Sequence, residues 1–167
     1  DLVNQWHTSI IASAQTLLSL NTAHPNALDA ALTTPRFLVI PKLNVISPIV
    51  SDLTQGVIAL DRFISPADTG QTVILGHSSD YPWRNNPYAT VFTLLPQIKP
   101  GDEIKILEGN RNFLYQVKRV AITDDKLSGL LTDGTSGNEL ILSTCYPIGF
   151  FSQRFNVIAT PVKNSAI

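Results

Sequence analysis

The chain has 167 residues, of which 44% are hydrophobic and 15% charged, and its formal net charge at pH 7 is −1. This composition excludes an intrinsically disordered chain and fits one domain with a real core. The small net charge argues against a surface that binds nucleic acid or an anionic membrane, and the single cysteine excludes an internal disulfide.

The first predicted element is an amphipathic helix over residues 1–20, because apolar residues such as Trp6, Ile10 and Leu17 recur at helical spacing. Pro25 and its polar neighbours break this pattern. We therefore predict a helical appendage and connector over residues 1–35 and a main domain over residues 36–163. No run of 18 apolar residues could cross a bilayer, and no Met opens the chain. We expect a processed or excised chain, with membrane contact only through an anchor in a missing N-terminus.

From residue 36 onward the hydrophobic pattern is that of β-strands. The run RFLVIPKLNVISPIV (36–50) is split by two prolines, as is typical of edge strands or strand ends. The EGNR turn predicts a hairpin between the strand candidates on either side of it. TVFTLLPQI (90–98) predicts the one internal helix. The strand candidates are residues 72–76, 103–107, 111–123, 139–144 and 154–160.

Short strands separated by turns predict a mainly β fold, either a sandwich or a closed barrel. Because strands and helices do not alternate, the pattern argues against a parallel sheet. Residues 124–138 form a long polar loop, and loops of this length are often functional. We interpret its acidic residues Asp124, Asp125 and Asp133 as solvated, so we expect no calcium site there.

Two reactive side chains, His77 and Cys145, lie at points where predicted strands leave the core. His77 follows TVILG, and Cys145 follows ELILST. Two strands of one antiparallel sheet could present both side chains at the same rim. A nearby imidazole or fixed cation favours the thiolate, and an imidazole can also protonate a departing amine. Arg154 opens the last predicted strand, and its planar fork of donors could hold a thiolate, an oxyanion or a peptide.

Each of these residues also has a structural interpretation. A lone cysteine is more often a buried core residue than a nucleophile, a histidine after a strand is often a solvated turn residue, and an arginine at a strand end is usually a surface charge. On spacing alone, both interpretations of Cys145 remain open. His7 and His24 lack a reactive context, and the scattered histidines do not have zinc-ligand spacing.

Three segments in order resemble the sortases, the cysteine transpeptidases of the bacterial cell surface. TVILGH (72–77) is similar to the family's strand that ends in Gly-His, and LILSTC (140–145) is similar to its TLxTC-like strand end. VFTLLPQIKPGDEI (91–104) lies between them, and Arg154 follows nine positions after Cys145, where the family has an arginine. The resemblance covers most of residues 36–160.

The resemblance implies an eight-stranded β-barrel with its active site at one rim. It implies that Cys145 attacks the carbonyl of an LPxTG-like sorting signal and forms a thioacyl-enzyme, which an amine on a cell-wall precursor or a pilin lysine resolves. It implies that His77 acts as general acid and then base, and that Arg154 stabilises the oxyanion or orients the peptide. The resemblance implies a reaction that needs no cofactor, although some relatives use calcium. It also implies a location at the outer face of a bacterial membrane.

We further expect peptide contacts from the segment after Cys145 and from the aromatic loop DYPWRNNPY (80–88), which would form one wall of the groove. A packing role for Trp83 alone is the alternative. The predicted contact residues are Tyr81, Trp83, Thr144 and Tyr146. Two rivals to the transpeptidase remain: a cysteine peptidase that only hydrolyses, and a non-catalytic surface or pilin β-barrel module in which Cys145 is buried and inert.

Overall fold

A computed structural model describes residues 34–60, 70–80, 85–124, 138–150 and 152–162. Eight strands close into a barrel in the order β1-β2-β3-β4-β7-β8-β6-β5, which confirms the predicted mainly β barrel. The predicted N-terminal helix and nearly all of the 124–138 loop lie outside the described residues. The strands are β1 Arg36–Ile40, β2 Val45–Val50, β3 Val57–Ala59, β4 Gln71–Leu75, β5 Glu103–Glu108, β6 Arg111–Asp124, β7 Glu139–Tyr146 and β8 Gln153–Pro161.

The barrel interior is filled by every second side chain of its strands, because successive residues of a strand point to opposite faces. In β7, for example, Leu140 and Leu142 are fully buried in this core. The predicted hairpin is confirmed: β5 and β6 pair antiparallel from Glu103↔Gln116 to Glu108↔Arg111. Other members of the core include Leu38, Ile40, Ile74, Ile104, Ile106, Val117 and Val157.

A second apolar cluster lies on the outer face of β4, β7 and β8. Val73, Ile141 and Ile158 are buried there and pack with partly buried neighbours from adjacent segments. These three strands therefore have buried residues on both faces, which explains why each contains consecutive apolar residues rather than a strict alternation. Burial on both faces stabilises the strands that carry the side chains at this rim.

The prediction of an antiparallel sheet is wrong for β4 and β7, the two strands that lead to His77 and Cys145. β4 and β7 pair parallel, from Gln71↔Glu139 to Leu75↔Ser143. The crossover between them contains the β5–β6 hairpin rather than a single helix, so the strand–helix–strand signature of parallel pairing is absent from the sequence. Because the two strands run in the same direction, their C-terminal ends lie side by side.

The prediction of a helix over residues 90–98 is also wrong. This segment is a series of turns that ends in a 3₁₀ helix, Leu95–Gln97. Its amides bond three residues back, as from Leu95 N to Phe92 O at 3.0 Å and from Gln97 N to Leu94 O at 2.9 Å. Pro96 has no amide hydrogen and disfavours the α conformation in the residue before it, so an α-helix cannot run through this point. None of the helices within the described ranges has the length and apolar character needed to cross a bilayer.

Candidate active site

The register of the last two strands sets Cys145 directly opposite Arg154. β7 and β8 pair antiparallel, and Cys145↔Arg154 is the next-to-last pair before the connecting turn. Side chains that face each other on antiparallel strands have Cβ atoms about 4.5–5.5 Å apart. Cys145 is a free thiol and is half-buried. The backbone therefore brings a partly accessible thiol and a guanidinium to the same face at one rim of the barrel.

His77 reaches this rim from the other side of β7. It lies two residues beyond the end of β4, and the last registered pair of the parallel ladder is Leu75↔Ser143. Gly76 N donates to Ser143 O at 3.2 Å, which continues the contact past the end of β4. Since β7 lies between β4 and β8, His77 and Arg154 are on opposite sides of the strand that carries Cys145.

Thr144 ties the ends of β4 and β7 together. It is buried, and its Oγ1 donates to Gly76 O at 2.8 Å. The hydroxyl is thus committed to the chain segment that leads into His77.

The main chain of His77 is held by the segment that follows it. Phe92 N donates to His77 O at 2.8 Å, and Thr93 Oγ1 donates to Ser78 O at 2.5 Å. The Phe92 ring is fully buried and lies against Gly76, where an added Cβ would come within 2.5 Å of Cδ2 of the ring. A glycine at this position is what lets the ring pack under the end of β4.

The outer face beside Cys145 is organised in rows that run across the sheet. The row of Cys145 contains Arg154 of β8 and Thr123 of β6. Two residues further from the rim, the next row contains Ser143 and Asn156. Beyond it lies the apolar row of Val73, Ile141 and Ile158.

The other predicted contact residues have different placements. Tyr146 is half-buried and packs against the barrel core, where its ring contacts the Phe155 ring in a tilted arrangement with ring centroids 5.8 Å apart. It follows Cys145 on the strand, so the two side chains point to opposite faces. Tyr81 and Trp83 lie outside the described residues.

Sequence reasoning did not single out Phe92, Ser143 or Asn156. The signal for the last two was present, since each is a polar residue inside an apolar strand run. The described residues hold no cluster of three histidine, cysteine or acidic side chains that could bind a metal ion.

A family model, a known protein and several solved structures are similar to this chain. A family model described as "Sortase domain" matches residues 38–162, a range that includes His77, Cys145 and Arg154. Sortase D of Bacillus subtilis (strain 168) is 31% identical over 118 residues, which cover 68% of this chain and 54% of that protein. The chain thus spans about half the length of this curated relative.

Two solved structures have the same barrel. Sortase C-3 from Streptococcus pneumoniae matches with a TM-score of 0.64 and 29% identity, over 78% of this chain and 63% of that one. The pilus-related Sortase C of Group B Streptococcus matches with a TM-score of 0.64 and 25% identity, over 78% of this chain and 68% of that one.

Proposed function

The chain belongs to the sortase family, and from that premise we propose that it is a cysteine transpeptidase that cleaves a sorting-signal peptide and transfers its acyl part to an amine. The observation that carries the proposal is the pairing of Cys145 with Arg154 beside the strand end that leads to His77. In thioester chemistry on a peptide, the thiol can act as the nucleophile and the imidazole as the acid and base, and the guanidinium can stabilise the oxyanion.

The first half of the reaction forms a thioacyl-enzyme. His77 accepts the thiol proton as the Cys145 sulfur attacks the scissile carbonyl carbon, and the carbonyl oxygen becomes an oxyanion. When the carbon–nitrogen bond breaks, His77 gives a proton to the departing amine, which leaves with the C-terminal part of the peptide. His77 acts here as a general acid, a role that typically contributes about 10²–10⁴-fold to the rate.

The second half transfers the acyl group. The amine of the acceptor attacks the thioester carbon, its extra proton passes to His77, and the Cys145 thiolate leaves as the new amide bond forms. Attack by water at the same carbon would release a free acid instead, so the choice between transfer and hydrolysis depends on which nucleophile reaches the thioester.

Arg154 supplies fixed positive charge across from the sulfur. Its guanidinium stays protonated and presents donors in a planar fork. From the position opposite Cys145, this fork can stabilise the thiolate, the oxyanion or the peptide backbone. Since Thr144 uses its hydroxyl to hold Gly76, its proposed share of the site is its backbone.

The proposed substrate is an LPxTG-like signal on a surface protein, and the proposed acceptor is an amine of a cell-wall precursor or a pilin lysine. The likeness to a pilus-related Sortase C supports the pilin option. Tyr81, Trp83 and Tyr146 are proposed peptide contacts. The proposed location is the outer face of a bacterial membrane, where such substrates are exposed.

The test is a panel of fluorogenic sorting peptides, each incubated with and without a short amine acceptor, with products identified by mass. The proposal predicts cleavage of at least one peptide and an amide product only when the amine is present. Cys145→Ala should abolish both, and His77→Ala should slow both by at least ~100-fold. Arg111→Ala is the matched control, because this exposed residue lies at the opposite end of the barrel.

Two outcomes would replace the proposal. Cleavage that yields only the free acid at every amine concentration would identify a hydrolytic peptidase. No cleavage, together with a Cys145 thiol that a methanethiosulfonate reagent modifies only after unfolding, would identify a non-catalytic module.

A further inference from the structure

We propose that Asn156 is a positioning residue for the reaction. Its buried amide holds Thr123 and the main chain of Arg154 in place, and it thereby keeps the guanidinium beside Cys145. Asn156 itself touches no reacting atom and acts only through Arg154. The inference rests on the proposed function, because it concerns how one part of the same site is held, and its test separates the two claims.

Arg154 lies close to the end of a strand. It is the second residue of β8, and only the pairs Tyr146↔Gln153 and Asp124↔Gln153 lie between it and the ends of the ladders on its two sides. The ends of structural elements open more readily than their middles. An additional tie to the main chain at this point therefore reduces the motion of the side chain that it carries.

The row of Cys145 on the outer face sets the neighbours of the Arg154 side chain. Arg154 is opposite Cys145 in the β7–β8 ladder and opposite Thr123 in the β6–β8 ladder. Side chains that face each other on antiparallel strands have Cβ atoms about 4.5–5.5 Å apart. Because β8 lies between β7 and β6, a fixed Thr123 limits how far the Arg154 side chain can move away from the thiol.

The Asn156 amide reaches this row from the next one. Its Nδ2 lies 3.0 Å from Thr123 Oγ1, 3.2 Å from Arg154 O and 3.4 Å from Ala121 O. The two carbonyl oxygens only accept hydrogen bonds, so nitrogen rather than oxygen occupies this position. The two amide hydrogens are therefore shared among acceptors on β6 and β8, and they tie the ends of the two strands together.

Burial strengthens this tie. Asn156 is 0% exposed, so bulk water does not compete for its hydrogen bonds. A hydrogen bond in the protein interior is electrostatically stronger than the same bond in water. A leucine of similar shape would fill the space but would donate nothing, so Asn156→Leu removes the tie and keeps the volume.

The surroundings of Asn156 also favour a role beyond packing. It is the polar member of a buried stretch, Phe155–Ala159, whose other four side chains are apolar. An apolar residue in its place would pack without the cost of burying an amide. Residues that depart from the local pattern in this way are expected chiefly at functional or strained sites.

The experiment is a double-mutant cycle on the full chain with a sorting peptide that it turns over. The unaltered chain, Asn156→Leu, Arg154→Ala and the double variant are compared by kcat/KM per folded chain. Asn156→Leu should lower kcat/KM by about 10–100-fold, because a small displacement of a catalytic group is costly. In the Arg154→Ala background the same substitution should change kcat/KM by less than about 3-fold, since the guanidinium that it positions is already gone.

The free energy of unfolding distinguishes positioning from a structural role. The carbonyl oxygen of residue 154 remains in Arg154→Ala, so Asn156→Leu should lower the free energy of unfolding by the same amount in both backgrounds. Losses of stability that add, together with losses of activity that do not, identify a residue that acts through the guanidinium. A merely structural residue would reduce activity by the same factor in both backgrounds.

Thr123 provides a second route to the same answer. Thr123→Val removes the hydroxyl that Asn156 contacts and keeps the shape, so it should lower kcat/KM several-fold, again only when Arg154 is present. Thr123→Ser keeps the hydroxyl and should retain most of the activity. Since Thr123 is half-buried rather than buried, its variants decide the question if Asn156→Leu does not fold.

Ser47→Ala is the matched control for loss of a buried polar group. Ser47 is fully buried on β2, three strands away from β7, and its hydroxyl accepts from Val57 N. Whatever Ser47→Ala does to stability, its effect on kcat/KM per folded chain should be the same with and without Arg154.

Distinct results would overturn the inference. Equal factors of loss in the two backgrounds would make Asn156 a structural residue. Unchanged kcat/KM in a folded Asn156→Leu, or in Thr123→Val where Asn156→Leu does not fold, would remove the positioning role. Full activity in Arg154→Ala would overturn the inference but leave the proposed function, whereas an unaltered chain that turns over no sorting peptide would overturn both.

Discussion

Cys145 and Arg154 face each other as a registered pair on the antiparallel strands β7 and β8. The backbone sets this relationship, because a slip of one residue would move every side chain of β8 to the opposite face. The buried residues on both sides of β7 and β8 hold the register in place. The fold itself therefore sets Arg154 opposite Cys145, and substitutions of Arg154 test the role of its side chain.

Arg154→Ala should lower kcat/KM by about 10²–10³-fold, the range typical of losing one donor to an oxyanion. Arg154→Lys keeps the charge but not the planar fork, so its activity separates the two contributions. Activity near that of the unaltered chain in Arg154→Lys would mean that a point charge suffices. The same result in Arg154→Ala would leave a mechanism of Cys145 and His77 alone. Arg111→Ala serves as the control for loss of a surface arginine.

Thr144→Val should destabilise the fold by about 1–3 kcal/mol, because it leaves the buried oxygen of Gly76 without its donor. Turnover should fall as well, since the lost bond ties the segment before His77 to the strand of Cys145. Thr144→Ser keeps the hydroxyl and should lose much less of both. Chemical denaturation and peptide kinetics on the two variants provide the comparison; equal effects of valine and serine would show that the hydroxyl is unimportant.

Gly76→Ala should destabilise the barrel by about 1–3 kcal/mol, the usual cost of overpacking a core. The added methyl group would lie 2.5 Å from Cδ2 of the buried Phe92 ring. Phe92→Leu makes room for it, so the double variant should lose less stability than the sum of the two single variants. Purely additive losses in a double-mutant cycle would show that the two residues do not meet as described.

Alkaline pH should destabilise the barrel through Tyr115. Burial, and secondarily the negative charge of Glu108, raises the pKa of this phenol. A group whose pKa is raised in the folded state contributes its full stability below the unfolded pKa of about 10 and loses that contribution as the pH rises further. Between pH 10 and 11.5 the free energy of unfolding should therefore fall more steeply for the unaltered chain than for Tyr115→Phe. Tyr88→Phe is the control, and identical slopes in the unaltered chain and Tyr115→Phe would contradict the account.

Much of the barrel is predictable because most of its strands have a recognisable local sequence pattern. The β5–β6 hairpin has a turn sequence between two β-rich runs, and β7 and β8 each contain a run of consecutive apolar residues. The three-residue strand β3 was missed, since so short a run carries no period. The parallel pairing of β4 with β7 was missed because a crossover built from a hairpin and loops leaves no helical signature.

The candidate site shows the same division between local and tertiary signals. Cys145, His77 and Arg154 were singled out by residue type and by their positions at strand ends, and their catalytic roles remain predictions. Ser143 and Asn156 were not, although each is a polar residue inside an apolar run, because their complete burial appears only in the folded chain. The packing of Phe92 against Gly76 is likewise a contact that only the folded chain reveals.

The central claim is that Cys145 carries the acyl group of a sorting peptide. Intact-mass measurement after rapid acid quenching of the chain with a cleavable sorting peptide tests it most directly. The account predicts a mass increase equal to the N-terminal fragment of the peptide, located on Cys145 by fragmentation, lost on addition of a strong amine nucleophile and absent in Cys145→Ala. Cleavage of the peptide by Cys145→Ala at the rate of the unaltered chain would contradict it.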